Sequence, residues 1–302
     1  MVYAQTPKTI LIIIDGIPSD LIESVSTPGI DAVAGESGYT RSWVGGERGG
    51  ESESPTVSAV GYNHLITGTW SNKHNVYNNR IDEPNYDYWD LFRIAKTHDA
   101  SLHTAIFSTW TDNRTKLIGD GLPEAGGTKL DYAFDGFEHD TDQFPHDLNS
   151  DYIRQIDTHV SRETARYVRD IGPDVSWVYL QYSDDIGHRY GDGPEMNQAI
   201  TFMDARVGEI WDAVREREQN TDEDWLVIIT TDHGRDSLTG RHHGGQSERE
   251  RTIWIATNHD KLNAHFHASP PLVDVLPSIV QFMDLDMVPS VRAALDGQSF
   301  ID

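Results

Sequence analysis

The stretch "TTDHGRDSLTGRHHGGQ" (230–246) places Asp232, His233, His242 and His243 within twelve positions, and each of these side chains binds divalent metals. Gly234, Gly240, Gly244 and Gly245 interrupt the stretch and exclude a regular helix. A second segment, "SDDIGHRYG" (183–191), carries Asp184 and His188 four apart, with Gly187 between them. A third carboxylate, Asp15, closes the apolar run "ILIII". With His243 as the last ligand, three carboxylates and three imidazoles would suffice for two metal ions. The chain has no cysteine, so thiolate sites and disulfides are excluded. Mixed His/Asp ligation favours zinc, with manganese or iron also suited. Each motif alone has a plainer reading: Asp-Gly after a strand is often only a turn. Their joint occurrence at strand ends argues for metal binding.

The elements that must position these residues alternate between strand and helix. "KTILIIIDGI" reads as a buried parallel strand ending at Asp15. "SLHTAIFS" (101–108), "VSWVYLQYSDD" (175–185), "DWLVIITTDHG" (224–234) and "RTIWIATN" (251–258) read as further strands. Helical periodicity marks 57–67, 86–98, 151–172, 195–217 and 271–285, and the rest of 27–86 reads as loops. Such alternation predicts an α/β fold, a mostly parallel sheet with helices on both faces. In such sheets ligands bind beyond the carboxyl ends of the strands, where Asp15, Asp184 and Asp232 stand, with Asp184 and His188 on a loop.

At 302 residues and 37% hydrophobic, the chain is long enough for one large domain covering 1–302, with a small lid or insertion at 109–148 as an option. Its longest apolar runs fall far short of the roughly 20 residues of a membrane span. The formal net charge of -25 repels nucleic acid and anionic lipid, so nucleic-acid polymers are not expected partners. An anionic substrate would need a local patch of positive charge. Val2-Tyr3-Ala4 before Gln5 resembles the tail of a signal peptide, which favours a periplasmic or secreted location over a cytoplasmic one. The oligomeric state is not legible.

The segment "SPTVSAVGYNHLITG" (54–68) completes a motif order that resembles the alkaline phosphatase superfamily. The likeness is to its nucleotide pyrophosphatase/phosphodiesterase and phosphate-irrepressible alkaline phosphatase branches, and it runs from Asp15 to His243. It implies an alkaline phosphatase-like three-layer sandwich. Counting back nine residues from Thr67-Gly68 makes Ser58 the nucleophile, where many relatives carry Thr. Counting forward 21 residues makes Asn79 the phosphate-binding amide. Gly61-Tyr62 departs from the Asn-His of the diesterase branch. A helix N-cap is the plainer role for Ser58. By the same resemblance Asp184, His188 and His243 would hold one zinc, and Asp15, Asp232 and His233 the other, with Ser58 bound to it. His243 is preferred to His242 because Gly-x-x-His matches short-loop relatives such as phosphopentomutases.

Two zinc ions against three Asp leave the site at one positive charge. At about 4 Å that is worth roughly 4 kcal/mol, or about three pKa units on the serine hydroxyl. The expected reaction is therefore two-metal hydrolysis of a small-molecule phosphate ester through a phosphoserine. In "TWTDNRTKLIG" (109–119), Arg114 matches the Arg of a Lys-x-Arg phosphate-binding segment, although Asp112 stands where the Lys should be and Lys116 would have to substitute. Arg114 as a substrate-binding residue favours monoesters. Phosphodiesterase or nucleotide pyrophosphatase action is the rival, and a non-catalytic metal- or phosphate-binding protein is the alternative of another class. Ser58-Ala-Val-Gly-Tyr lacks the formylglycine context of sulfatases.

Overall fold

A computed structural model describes residues 5–302, so the expectation resting on Val2-Tyr3-Ala4 lies outside the described residues. A seven-stranded sheet organises the chain: β1 (Thr6–Ile14), β2 (Tyr39–Trp43), β3 (Thr104–Ser108), β4 (Tyr132–Phe134), β5 (Val175–Leu180), β6 (Glu223–Thr230) and β7 (Thr252–Thr257), in the order β2-β7-β6-β1-β5-β3-β4. β6, β1, β5, β3 and β4 run parallel. β7 is antiparallel to β6, and β2 is antiparallel to β7.

β1 lies at the middle of the sheet because its side chains are apolar on both sides. Leu11 and Ile13 enter one core; Ile10, Ile12 and Ile14 enter the other. The first core is closed by helices α2 (Ser58–Thr67), α3 (Leu91–His98) and α7 (Val275–Phe282), through Ile66, Phe92 and Leu276 among others. The second is closed by α1 (Pro28–Ala34), α4 (Asp151–Asp170), α5 (Tyr182–Tyr190) and α6 (Pro194–Asn220), through Ile30, Ile156, Ile186 and Met203. Helices on both faces of a mostly parallel sheet make the expected three layers. Among the described residues no helix is long and apolar enough to cross a membrane.

Several sequence expectations change. Residues 182–190 are the helix α5 and not a loop, so Asp184 and His188 share one helical face at i,i+4. The helix expected over 86–98 starts only at Leu91, because the Asp90 side chain caps it by accepting from the Phe92 and Arg93 amides. β2 and α1 fall inside a segment read as mostly loops, and the segment 109–148 contributes the edge strand β4.

The register aligns the ends that matter. Ile14 stands opposite Leu180, and Ile13 opposite Thr230. The residues that follow (Asp15, Gln181 and Thr231) therefore leave the sheet side by side. Asp157, fully buried on α4, ties this edge together. Its carboxylate accepts from the Thr109 hydroxyl beyond β3 (2.6 Å) and from the Gln181 and Tyr182 amides at the start of α5 (3.1 and 2.8 Å). Asp157→Ala would leave two half-buried amides and the Thr109 hydroxyl without this partner, at about 1 kcal/mol each. The expected result in a denaturant titration is a loss of at least about 2 kcal/mol of stability.

Candidate metal centre

Beyond the carboxyl ends of β1, β5 and β6, each of three carboxylates is held by one oxygen while the other is turned to a common centre. Asp15 accepts on Oδ2 from the Tyr62 and Tyr179 hydroxyls, the latter at 2.7 Å. Its Oδ1 has no hydrogen-bond partner and lies 3.4 Å from His233 Nε2. Asp232 accepts on Oδ1 from the Gly16 amide at 3.1 Å, and its unpartnered Oδ2 lies 3.2 Å from the same nitrogen. Asp184 accepts on Oδ1 from the Arg235 guanidinium, and its Oδ2 lies 3.3 Å from His188 Nε2.

The three imidazoles repeat the pattern. His233 Nδ1 bonds the Gly234 carbonyl (2.9 Å), His188 Nδ1 the Arg241 carbonyl (2.8 Å), and His243 Nδ1 the Thr56 carbonyl (2.9 Å). A carbonyl only accepts, so each Nδ1 carries a proton. Burial pushes the His233 and His243 imidazoles down, which leaves their Nε2 atoms free to ligate, whereas the hydrogen bond with Asp184 pushes His188 up. His188 Nε2 and His243 Nε2 face each other at 3.0 Å. Asp15, Asp232 and His233 form one ligand group, and Asp184, His233 and His243 another, with ligand atoms within 4.8 Å of one another.

The electrostatics show an unmet demand for positive charge. Burial pushes the Asp15 carboxyl well above the usual range, and the nearby Asp232 and Asp184 carboxylates add to it. Burial, then Asp184, pushes Asp232 up to about 7. Burial acts the same way on Asp184, but the Arg235 guanidinium and His188 hold it well below the usual range. Burial pushes the His233 imidazole well down, so it is neutral. Unpartnered buried carboxylate oxygens beside proton-free imidazole nitrogens fit divalent cations, and the outer hydrogen bonds are those that metal ligands require.

Ser58 joins this centre. It is the first residue of α2, and Val57 occupies the N-cap position, so the Ser58 side chain is not spent on capping. Its Oγ lies 3.4 Å from His233 Nε2. Asn79 Oδ1 accepts from the Ala59 amide at 3.0 Å, which brings the Asn79 side chain to the same helix end. Ser58 and Asn79 line a cavity of about 250 Å³ together with Asp15, Asp184, Tyr62, Tyr179, Gln181 and Trp110.

The structure thus brings together Asp15, Ser58, Asn79, Asp184, His188, Asp232, His233 and His243. His242 is exposed and outside both ligand groups; His188 is also exposed and outside both, but its Nε2 lies 3.3 Å from Asp184 Oδ2 and 3.0 Å from His243 Nε2. Arg114 is not among the cavity residues: its guanidinium is held in two bonds by Asp135, at 2.6 and 2.9 Å. Lys116 pairs with Asp112 at 2.8 Å.

Sequence reasoning missed four supporting residues. Tyr62 and Tyr179 fix Asp15, and Arg235 fixes Asp184. Asp236 closes the ligand loop by accepting from the Leu238, Thr239, Arg241 and His242 amides. One signal was present, the departure at Gly61-Tyr62. A Cβ on Gly61 would stand 2.7 Å from the Asp232 carbonyl oxygen, so glycine lets α2 approach the Asp232 backbone and brings the Tyr62 hydroxyl onto Asp15.

Comparison with known proteins agrees with this layout. Residues 9–277 match the model of the type I phosphodiesterase/nucleotide pyrophosphatase family. The catalytic subunit of GPI ethanolamine phosphate transferase 2 from Homo sapiens is 23% identical over 252 residues, 82% of this chain and 23% of that protein. GPI ethanolamine phosphate transferase 2 of Schizosaccharomyces pombe is 26% identical over 168 residues, 53% of this chain and 21% of that protein. The chain therefore spans less than a quarter of these curated relatives. In fold it resembles the phosphonate monoester hydrolase of Agrobacterium radiobacter (TM-score 0.67, 14% identity, 97% of this chain and 76% of that one). It also resembles murine ectonucleotide pyrophosphatase/phosphodiesterase 5 (TM-score 0.61, 12% identity, 93% and 96%). With its family match running from β1 into α7, the chain belongs to the type I phosphodiesterase/nucleotide pyrophosphatase family, within the alkaline phosphatase superfamily.

Proposed function

We propose that the chain hydrolyses small phosphate esters in two in-line steps through a phosphoserine on Ser58. Two divalent cations, zinc first by ligand chemistry, would be held by Asp15, Asp232, His233 and Ser58 at one position and by Asp184, His188 and His243 at the other. The observation that carries this reading is the pair of overlapping ligand groups, Asp15–Asp232–His233 and Asp184–His233–His243, with His188 beside Asp184 and His243 and the Ser58 hydroxyl beside His233. When bound, the cations would supply the positive charge that stabilises the Ser58 oxyanion and the leaving oxygen.

The chain's own groups do the rest. Ser58 Oγ attacks phosphorus and the bond to the ester oxygen breaks, releasing the alcohol. Water then cleaves the phosphoserine, returning the hydroxyl and releasing the phosphoryl product. Because Asn79 Oδ1 is occupied by the Ala59 amide, its Nδ2 hydrogens are left to bind a phosphoryl oxygen. The N-terminus of α2 favours the negative charge that develops at Ser58.

Within this reading the diester is the better substrate. A monoester brings an additional negative oxygen, yet no Lys or Arg is among the cavity residues, and Asp135 neutralises Arg114, the residue that favoured monoesters in the sequence. Likeness to ethanolamine phosphate transferases favours a second reading, in which an alcohol instead of water takes the phosphoryl group from Ser58.

Four measurements test this. With zinc-loaded protein at pH about 8.5, bis-p-nitrophenyl phosphate is expected to turn over faster than p-nitrophenyl phosphate by at least about tenfold; a clear monoester preference would bring Arg114 back into the site. Ser58→Ala is expected to lower turnover by about a thousandfold or more while zinc content is kept. Adding an alcohol acceptor separates transfer from hydrolysis by the products formed. Tyr62→Phe removes one of the two donors on Asp15 and is expected to weaken zinc binding about tenfold, read by chelator competition; unchanged affinity would mean that Tyr179 alone fixes Asp15.

A further inference from the structure

Arg235 is buried completely, one residue beyond the Asp232-His233-Gly234 segment. Its Nε donates to the Gly16 carbonyl at 2.9 Å, and its Nη2 donates to the Asp184 carbonyl at 2.8 Å and to Asp184 Oδ1. Its Nη1 is buried without a partner. Two glycines make the slot. A Cβ on Gly187 would stand 2.2 Å from Arg235 Cζ, and one on Gly16 would stand 2.7 Å from Nη2. A guanidinium built into the wall of a cluster of metal-ligating side chains repels any cation that enters, so it needs a reason.

The two halves of the cluster differ in formal charge. Asp15 and Asp232 bring two carboxylates to the inner position, and the side-chain and backbone donors that hold them are neutral: two phenols, a backbone amide and a threonine hydroxyl. The outer position has one carboxylate, Asp184, and Arg235 cancels its charge. The halves also differ in access. The side chains of Asp15, Asp232 and His233 are 2%, 0% and 0% exposed, whereas those of His243, Asp184 and His188 are 9%, 13% and 46% exposed.

We propose that Arg235 is a built-in cation that makes the two metal positions unequal, so that the Asp15–Asp232–His233 position fills first and tightly while the Asp184–His188–His243 position fills last and exchanges readily. This rests on the reading of the cluster as a two-cation site. Arg235 acts as a positioning residue: it orients Asp184 before the second ion arrives, at the expense of that ion's affinity. Two unit charges of difference separate the affinities by at least about a hundredfold.

The test is a zinc titration of the full chain, stripped with a chelator, against a chromophoric competitor. Two resolved steps are expected in the parent. His188→Ala should remove the weak step alone. Arg235→Lys should keep both steps. Arg235→Met should strengthen the weak step by about tenfold or more and narrow the gap. Gly187→Ala, whose methyl group displaces the guanidinium, should behave like Arg235→Met and decides the matter if that variant does not fold. Two equivalent ions in the parent, loss of the tight step in His188→Ala, or the same gap in the Met and Lys variants would overturn the proposal while leaving the two-cation reading intact. No zinc bound by the parent would overturn that reading and the proposal with it.

Discussion

Three carboxylates and three imidazoles meet beyond the strand ends, and buried carboxylates this close together call for positive charge. Like charges brought together and buried push their pKa values up, as Asp15 and Asp232 show. Arg235 relieves one of the three carboxylates. The rest of the fold near this edge serves to hold that arrangement open. The β1, β5 and β6 registers align its sources, Asp157 fixes the start of α5, and Asp236 closes the loop that ends at His243. A hydrogen-bond donor or a carbonyl acceptor behind each ligand leaves a single atom of it facing inward.

Much of this was legible in the sequence because the ligands are tied to element ends. A run such as "ILIII" can only be a buried strand, and the acids that follow such runs fall on one edge of a parallel sheet. The fold class, and the side chains gathered at the strand ends, followed from that. What was not legible depends on contacts across the chain. The helix that carries Asp184 begins at amides that donate to Asp157, 24 and 25 residues earlier in the chain. The antiparallel direction of β7 is set by pairing with β6 and β2, which leaves no mark in "RTIWIATN" itself. Tyr62, Tyr179 and Arg235 look like ordinary core or loop residues until their partners are known. Arg114 illustrates the converse. Its motif position suggested a phosphate contact, but Asp135, 21 residues away, holds its guanidinium.

The local charge also resolves the conflict between a chain of net charge -25 and an anionic substrate. Bound cations would make the strand-end cluster an island of positive potential in an otherwise repulsive field. Under the proposed reading, a two-cation island whose cavity is lined by no Lys or Arg would meet the charge of a phosphodiester more fully than that of a doubly charged monoester. This agrees with the family to which the chain belongs.

The proposed chemistry depends on two cations held among Asp15, Asp184, His188, Asp232, His233 and His243. The most direct test is anomalous diffraction at the zinc edge from crystals of the zinc-loaded protein. Two peaks about 4 Å apart, one against Asp15, Asp232 and His233 and the other against Asp184, His188 and His243, are expected. A single peak, or zinc located elsewhere with these side chains unmoved, would contradict the account.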